Sequence, residues 1–454
     1  MRTARLIMVR VYNSLTKQME EFKPLREKEV SMYVCGPTVY DRMHIGNSRP
    51  VVFFDTVARF FNYLGYEVTY VSNFTDIDDK IIARAREMGL SESAVSERYI
   101  KEIIETYRKL NCLPHAHNPR VTESIPEIIA FIALLEEKGC AYVSEGDVYF
   151  NVARCRDYGI LSSQSLENLI SGARVEESEK KRHSADFALW KKTEEGLNWD
   201  SPWGRGRPGW HTECVVMVDS FFKGKIDIHG GGTDLKFPHH DNEIAQALCA
   251  YDHTIANYWL HNGRIDLSGE KMSKSLGNVI WVDELLSETS HQAYRLLLLN
   301  VPYRQPLSYK DELLRQAEND YEKIKRAYNG LYRKLEEAGD GPSESDPEAE
   351  KIKAEFTAAM ADDFNTANAI TAIFKAVKLA NRYVREKNPP LGRMRNLLEI
   401  FGGFLWVLGI ETGVQPLTDE EKELIARYRA ARREKNYELS DVLREEILAR
   451  GLEL

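Results

Sequence analysis

Residues 29–72 read EVSMYVCGPTVYDRMHIGNSRPVVFFDTVARFFNYLGYEVTYVS, and this stretch decides the fold. Glu29 to Val34 has the texture of a strand, Cys35 to Arg42 that of a loop, and the apolar spacing from about Ile45 to Leu64 that of a helix, which Gly65 stops. Glu67 to Val71 alternates and is rich in β-formers, which completes the strand, helix, strand rhythm of a parallel βαβ unit. Folds of this kind gather ligands at the carboxyl ends of their strands, so chemistry is expected near Cys35 and the start of the helix.

Outward from that unit, helical patterns cover Ser93 to Leu110 and Ile125 to Lys138. Short strands and polar loops fill Ala141 to Trp199, including the charge run Glu176 to Arg182, and read as an insertion. A β-rich pattern returns at Lys225 to His229, followed by a Gly-rich turn and a helix from about His240 to Ala250, as if the first fold resumes. From Ser290 onward nearly everything reads as helix, broken at Ala338 to Pro347 by a linker rich in Gly, Pro, Ser and acids. The last segment, from Asp419, holds two helical stretches around the basic run Arg427, Arg429, Arg432, Arg433, Lys435.

With 454 residues the chain predicts several domains, and its 43% hydrophobic and 29% charged content exclude disordered, fibrous and membrane classes. Lys and Arg number 61 against 70 Asp and Glu, a net charge of -9, so any nucleic-acid contact must use a local basic surface. Six cysteines, Cys35, Cys112, Cys140, Cys155, Cys214 and Cys249, have no close repeated spacing, which argues against a disulfide framework. With no secretory apolar run and no membrane-length apolar segment, a reducing, cytoplasmic location without membrane contact is expected.

Two short motifs bear on chemistry. His44-Ile45-Gly46-Asn47 puts an imidazole at a helix N-terminus beside a glycine, where a phosphate can approach closely, although a helix-capping turn with an incidental His reads the same way. Lys271-Met272-Ser273-Lys274-Ser275 puts two lysines three apart in a Ser- and Gly-rich loop, able to meet a polyphosphate as pyrophosphate leaves. A third constellation is a metal candidate: on a helix His239 and Glu243 share a face at i, i+4, and Cys35 and Cys214 complete an S, S, N, O set that suits zinc. On spacing alone, buried structural cysteines and a surface His pair explain the same residues.

The two signatures together resemble those of class I aminoacyl-tRNA synthetases. Met32 to Asp41 (MYVCGPTVYD), Asn73 to Lys80 (NFTDIDDK), Gly209 to Cys214 (GWHTEC) and Asp227 to Gly232 (DIHGGG) narrow the resemblance to the cysteinyl-tRNA synthetases, over almost the whole chain. The resemblance implies an α/β fold: a Rossmann-like class I catalytic core with a connective insertion, followed by a mainly α-helical anticodon-binding region. Its implied divisions are 1–120 and 201–265 for the core, 121–200 for the insertion, 266–317 for the stem-contact region, 318–413 for the helical bundle and 414–454 for a small terminal domain.

The same resemblance implies adenylation of L-cysteine by Mg-ATP and transfer to the terminal adenosine of tRNA(Cys), by a monomer. His44, Asn47, Lys271 and Lys274 are the implied catalytic residues, joined at ATP by Thr38 and Gly46. One Zn2+ on Cys35, Cys214, His239 and Glu243 is implied to select thiol over hydroxyl, without an editing domain. The cysteine pocket is implied to comprise Cys35, Thr75, Trp210, His229 and Asp234. Arg432, Tyr437 and Asp441 match anticodon-contacting positions. Asp76, Asp78 and Asp79 read as structural rather than as a metal cluster.

Lys80 to Arg84 matches a Lys-Ile-Ile-Ala-Arg motif that the family links to pyridoxal phosphate (PLP)-dependent formation of cysteine persulfide. Asn47 replaces the usual second His of the first signature and still offers a hydrogen-bond donor. The C-terminus stops at Gly451-Leu452-Glu453-Leu454, short of the family's usual tail, and Met8 matches the usual start. Two rival readings are a ligase that passes activated cysteine to an amino sugar and a catalytically silent zinc and RNA-binding paralogue. The helical end speaks against the first, the lysine pair against the second.

Overall fold

A computed structural model describes residues 7–164, 180–267, 270–271, 279–450 and 452. The strand, helix, strand unit forms as expected: Glu29–Val34 and Glu67–Val71 pair in parallel, joined by the helix Ile45–Tyr63. Gly65 ends that connection with a φ of 86°, a backbone conformation open to glycine. The second half adds Ile226–Gly232 and Ala256–Asn262, also in parallel, giving the spatial order 256–262, 226–232, 29–34, 67–71. Met32, Tyr33, Val34, Ile226 and Ile228 are all buried, as expected of a parallel sheet covered on both faces.

An antiparallel four-stranded sheet fills the insertion, with strands Ala141–Ser144, Asp147–Phe150, Phe187–Lys192 and Gly206–Pro208, the last lying beyond residue 200. Cys140, just before the first of these, is disulfide-bonded to Cys249 on the helix Asp241–Tyr251, 109 residues away. The sequence argues against a disulfide framework, and four cysteines are free; this one pair leaves no sign in linear spacing, because only the packing of the insertion on the core creates it.

Beyond Ser290 the described residues are mainly helical, and the one strand among them is Leu307–Tyr309, three residues parallel to Ile265–Leu267 and too short to leave a period in the sequence. The helices Asp311–Ala338, Pro347–Ala361, Thr366–Arg385 and Leu391–Leu408 form a bundle packed on the helix Ile45–Tyr63. The seat is polar as well as apolar. Asp55, on the helix Ile45–Tyr63, accepts from Arg59 Nε at 2.9 Å and Arg295 Nη2 at 2.6 Å. The same two guanidinium groups donate to the Trp406 and Leu408 carbonyls at the end of a bundle helix. Two buried cations on one carboxylate are thus balanced by the negative end of a helix.

His115 offers a test of this packing. Its ring lies 4.2 Å from that of Tyr70 and its Nδ1 is 2.9 Å from Asn118 Nδ2. Burial pushes its pKa down to about 4. Because the folded value lies below the unfolded one, its contribution is fully present above about pH 6.5 and is lost as pH falls towards 4. Over that window the wild type is expected to lose roughly 3 kcal/mol more unfolding free energy than His115→Phe, read from urea titrations at both ends.

Candidate active site and metal centre

Four elements converge at the carboxyl ends of the central strands. Cys35 follows Glu29–Val34, its N–H donating to the Gly230 carbonyl at 3.1 Å. Cys214 lies in the first turn of the helix Glu213–Phe222, His239 in the kinked turn Lys236–His240, and Glu243 in the helix that follows. Cys214, His239 and Glu243 are buried and Cys35 half-buried.

The sulfurs of Cys35 and Cys214 are 3.5 Å apart. Cys214 Sγ is 3.6 Å from His239 Nε2, Cys35 Sγ 3.5 Å from Glu243 Oε1, and His239 Nε2 2.9 Å from Glu243 Oε1. Tetrahedral zinc with ordinary bond lengths asks for edges of about 3.8 Å between sulfurs, about 3.6 Å from sulfur to nitrogen or oxygen and about 3.4 Å from nitrogen to oxygen. These residues therefore fit zinc. A second set, Cys35, His229, His240 and Glu243, shares two of the donors and is also within reach of one ion.

The electrostatics suit a cation. Glu243 is held well below the usual carboxylate range: burial opposes ionisation, but His229, His239 and His240 surround it. Burial also raises Cys214, yet hydrogen bonds from Cys35 and His239 bring its thiol down to about 7. His239 is raised despite burial, chiefly by Glu243, whereas burial pushes His211, His240 and His261 down. Neutral imidazoles orient the donors: His211 Nδ1 lies 3.0 Å from His239 Nδ1, and His240 Nδ1 lies 2.8 Å from His261 Nε2.

The other expected pocket residues divide. His229 is fully buried, its Nε2 2.7 Å from Glu243 Oε2. Thr75 is buried and donates to Glu213 Oε1 at 2.5 Å, which ties it to the residue beside Cys214. Trp210, 40% exposed, stacks on the His239 ring at 4.7 Å, while Asp234 is exposed in the turn after the Gly-rich strand. Gly36 is required, since a Cβ there would lie 1.6 Å from the Asn73 carbonyl oxygen. His211, Glu213, His240 and His261 were not singled out as site residues from the sequence. The one signal for the three histidines was histidine density, which does not separate a ligand from its support, and Glu213 had only its place beside Cys214.

His44 sits at the cap of the helix Ile45–Tyr63, with half-buried Gly46 and exposed Asn47 in the first turn, and Thr38 is bridged to Thr75. Ile45 N–H donates to the Ile280 carbonyl at 2.9 Å and Val282 N–H to that of Met43 at 3.0 Å, so the chain leaving the second signature is pinned against the first. Arg42 reinforces this, lying over the Trp281 ring and pairing with Asp283 and Glu284. Lys271 has its backbone in the short strand Glu270–Lys271, and Lys274 lies outside the described residues.

The acidic trio is structural: Asp76 accepts from Thr122, Asp78 caps the helix Asp79–Met88, and Asp79 pairs with Lys191 and Arg207. Lys80 is exposed with its ammonium over the Tyr40 ring. Arg84, the cation of the same motif, is engaged by Glu87 and Tyr99. Arg432, Tyr437 and Asp441 are exposed on the helices Asp419–Arg433 and Tyr437–Ala449, which share a small core of their own.

This parallel sheet, signature helix and helical extension define a class I synthetase. Residues 21–319 match the model of the class I (C) tRNA synthetase catalytic domain, and residues 355–410 match the DALR domain. The chain is similar in fold to methionyl-tRNA synthetase from Mycobacterium tuberculosis, with a TM-score of 0.62 and 15% identity over 88% of this chain and 93% of that one. It is 47% identical to a cysteine–tRNA ligase from Halalkalibacterium halodurans, over 98% of this chain and 96% of that one. Its identity to the cysteine–tRNA ligase of Bacillus velezensis is 46%, over 97% and 95%. The chain belongs to the cysteine–tRNA ligase family, and it is a ligase. No helix among the described residues is long and apolar enough to cross a membrane.

Proposed function

We propose that this protein, a cytoplasmic monomer, activates L-cysteine with Mg-ATP and transfers it to the terminal adenosine of tRNA(Cys). The observation that carries the reading is the S, S, N, O donor set at the ends of the central strands, on the sheet that also launches the signature helix. Cys35, Cys214, His239 and Glu243 would hold zinc, which supplies a soft Lewis acid for which a thiol is a far better ligand than a hydroxyl. Discrimination of that size needs no second, editing site.

The chain's own residues do the rest. Thr75, His229 and Asp234 orient the amino acid, and Trp210 walls the pocket. His44, Gly46 and Asn47 at the helix N-terminus, with Thr38, Lys271 and Lys274, stabilise charge that builds on the phosphates as the carboxylate attacks. No protein nucleophile takes part, so the rate comes from positioning. Residues 318–413 and 414–454 receive the anticodon arm, with Arg432, Tyr437 and Asp441 at its bases. Persulfide formation with pyridoxal phosphate, through Lys80 and the Lys271 loop, would be a second activity of the same chain, and borohydride reduction after addition of pyridoxal phosphate is expected to label one of these lysines.

The test is ATP–pyrophosphate exchange with cysteine and with serine on protein of counted zinc content, followed by charging of tRNA(Cys). Exchange with cysteine alone, at about one zinc per chain, is expected, and then charging. Exchange without charging would transfer the reading to another acceptor. Trp210→Ala is expected to raise KM for cysteine about tenfold with zinc retained, as the loss of one stacked ring would.

A further inference from the structure

The disulfide between Cys140 and Cys249 has no place in the chemistry above, yet it is placed where it bears on that chemistry. Cys140 ends the turn after the helix Ile125–Glu137, and Cys249 lies on the helix that carries Glu243. Their Cα atoms are 6.5 Å apart, inside the range a disulfide spans without moving the backbone. The turn is also held by Lys138, whose ammonium donates to the carbonyl of Ala250, the residue after Cys249, at 2.8 Å. The loop so closed contains Cys214, His239 and Glu243, three of the four proposed metal donors. The remaining thiols are Cys155, buried in the insertion, Cys112, against Arg295, and the donor pair Cys35 and Cys214.

We propose that Cys140 and Cys249 form a reversible redox pair, oxidised by low-molecular-weight disulfides, that braces the insertion against the donor-bearing helix. One thiolate attacks a sulfur of the small disulfide, giving a mixed disulfide and releasing one small thiol. The second protein thiolate then attacks the protein sulfur of that mixed disulfide and releases the other small thiol. Two protein S–H groups become one S–S bond, the small disulfide becomes two thiols, and the two protons leave with them. Cystine is a disulfide of this class, and its reduction yields the amino acid that the proposed function consumes. The redox pair itself does not depend on that reading, since glutathione disulfide would serve as well.

The test uses zinc-loaded, fully reduced protein treated with cystine or with glutathione disulfide, then denatured, alkylated and mapped as peptides by mass. The expected product carries a 140–249 cross-link two hydrogens lighter than the thiol form, with the other four cysteines alkylated. Its Tm should rise by about 5 °C or more and return on addition of dithiothreitol. Cys140→Ser and Cys249→Ser should show neither cross-link nor shift, while retaining wild-type exchange when reduced. Six alkylated cysteines, a stable mixed disulfide, or a cross-link between Cys35 and Cys214 would overturn the assignment. A 140–249 cross-link without a change in Tm would overturn the bracing role.

Discussion

A Cys214→Ser protein is expected to lose zinc and cysteine activation together. Cys214 is 1% exposed, and its sulfur lies within 3.6 Å of both Cys35 Sγ and His239 Nε2. A serine hydroxyl at the same Cα is a harder, far less acidic donor, held too short to complete the set. Removal of one donor is expected to weaken zinc by at least about 100-fold, measured by competition with a chelator. Cysteine-dependent exchange should fall by about a thousandfold or more, because the thiol loses the contact that outcompetes water. Folding should survive, since the substitution removes one atom's bulk rather than a side chain, and circular dichroism would show it. A variant that keeps zinc but loses exchange would place the ion on Cys35, His229, His240 and Glu243 instead. One that keeps exchange without zinc would sink the thiolate-selection model.

The parallel core was legible because each of its parts carries a local signal. Glu29–Val34 and Glu67–Val71 were delimited by composition and alternation alone, and Gly65 marks the turn between them. The fourth core strand, Ala256–Asn262, was not read, since ANYWLHN mixes aromatic and polar residues without a period and two of its polar members, His261 and Asn262, are buried. The hairpin partner Gln18–Glu21 escaped for another reason: QMEE has a single apolar residue, Met19, and becomes a strand only by pairing with Arg10–Asn13. Tertiary pairing decided both.

The site was legible in its donors and not in their supports. Helical spacing puts His239 and Glu243 on one face, the resemblance joins Cys35 and Cys214 to them, and the fold brings all four within reach of one ion. His211 and His261 are recognisable only through the partners they meet, His239 and His240, which lie 28 and 21 residues away in the chain. Glu213 looked like a neighbour of a ligand, but its contact with Thr75 joins two segments 138 residues apart. Such second contacts follow from how elements pack, which a single sequence does not print.

The phosphate end of the site should separate cleanly from the thiol end. His44→Ala is expected to lower the kcat of exchange by about 100- to 1000-fold, as removal of a preorganised donor to a developing anion does in other sites. Zinc content and the KM for cysteine should stay near wild type. The geometry supports that split: His44 caps the helix Ile45–Tyr63 and is bridged to Trp281 beside the second signature, whereas the donor cluster is built from Cys35, Cys214 and the 239–243 turn. Lys274→Ala is expected to act in the same direction and to a similar extent, because the proposed function sets its charge against the departing pyrophosphate. If the two effects are independent, the double variant should lose the product of the two factors. If His44 and Lys274 act as one unit on the same phosphate oxygens, the double variant should fall little below either single one. The pinning of residues 280–282 against Met43 and Ile45 argues for the second outcome, since it fixes the exit of the lysine segment on the residues that flank His44. A loss of zinc in His44→Ala would instead show that the two ends are one cluster.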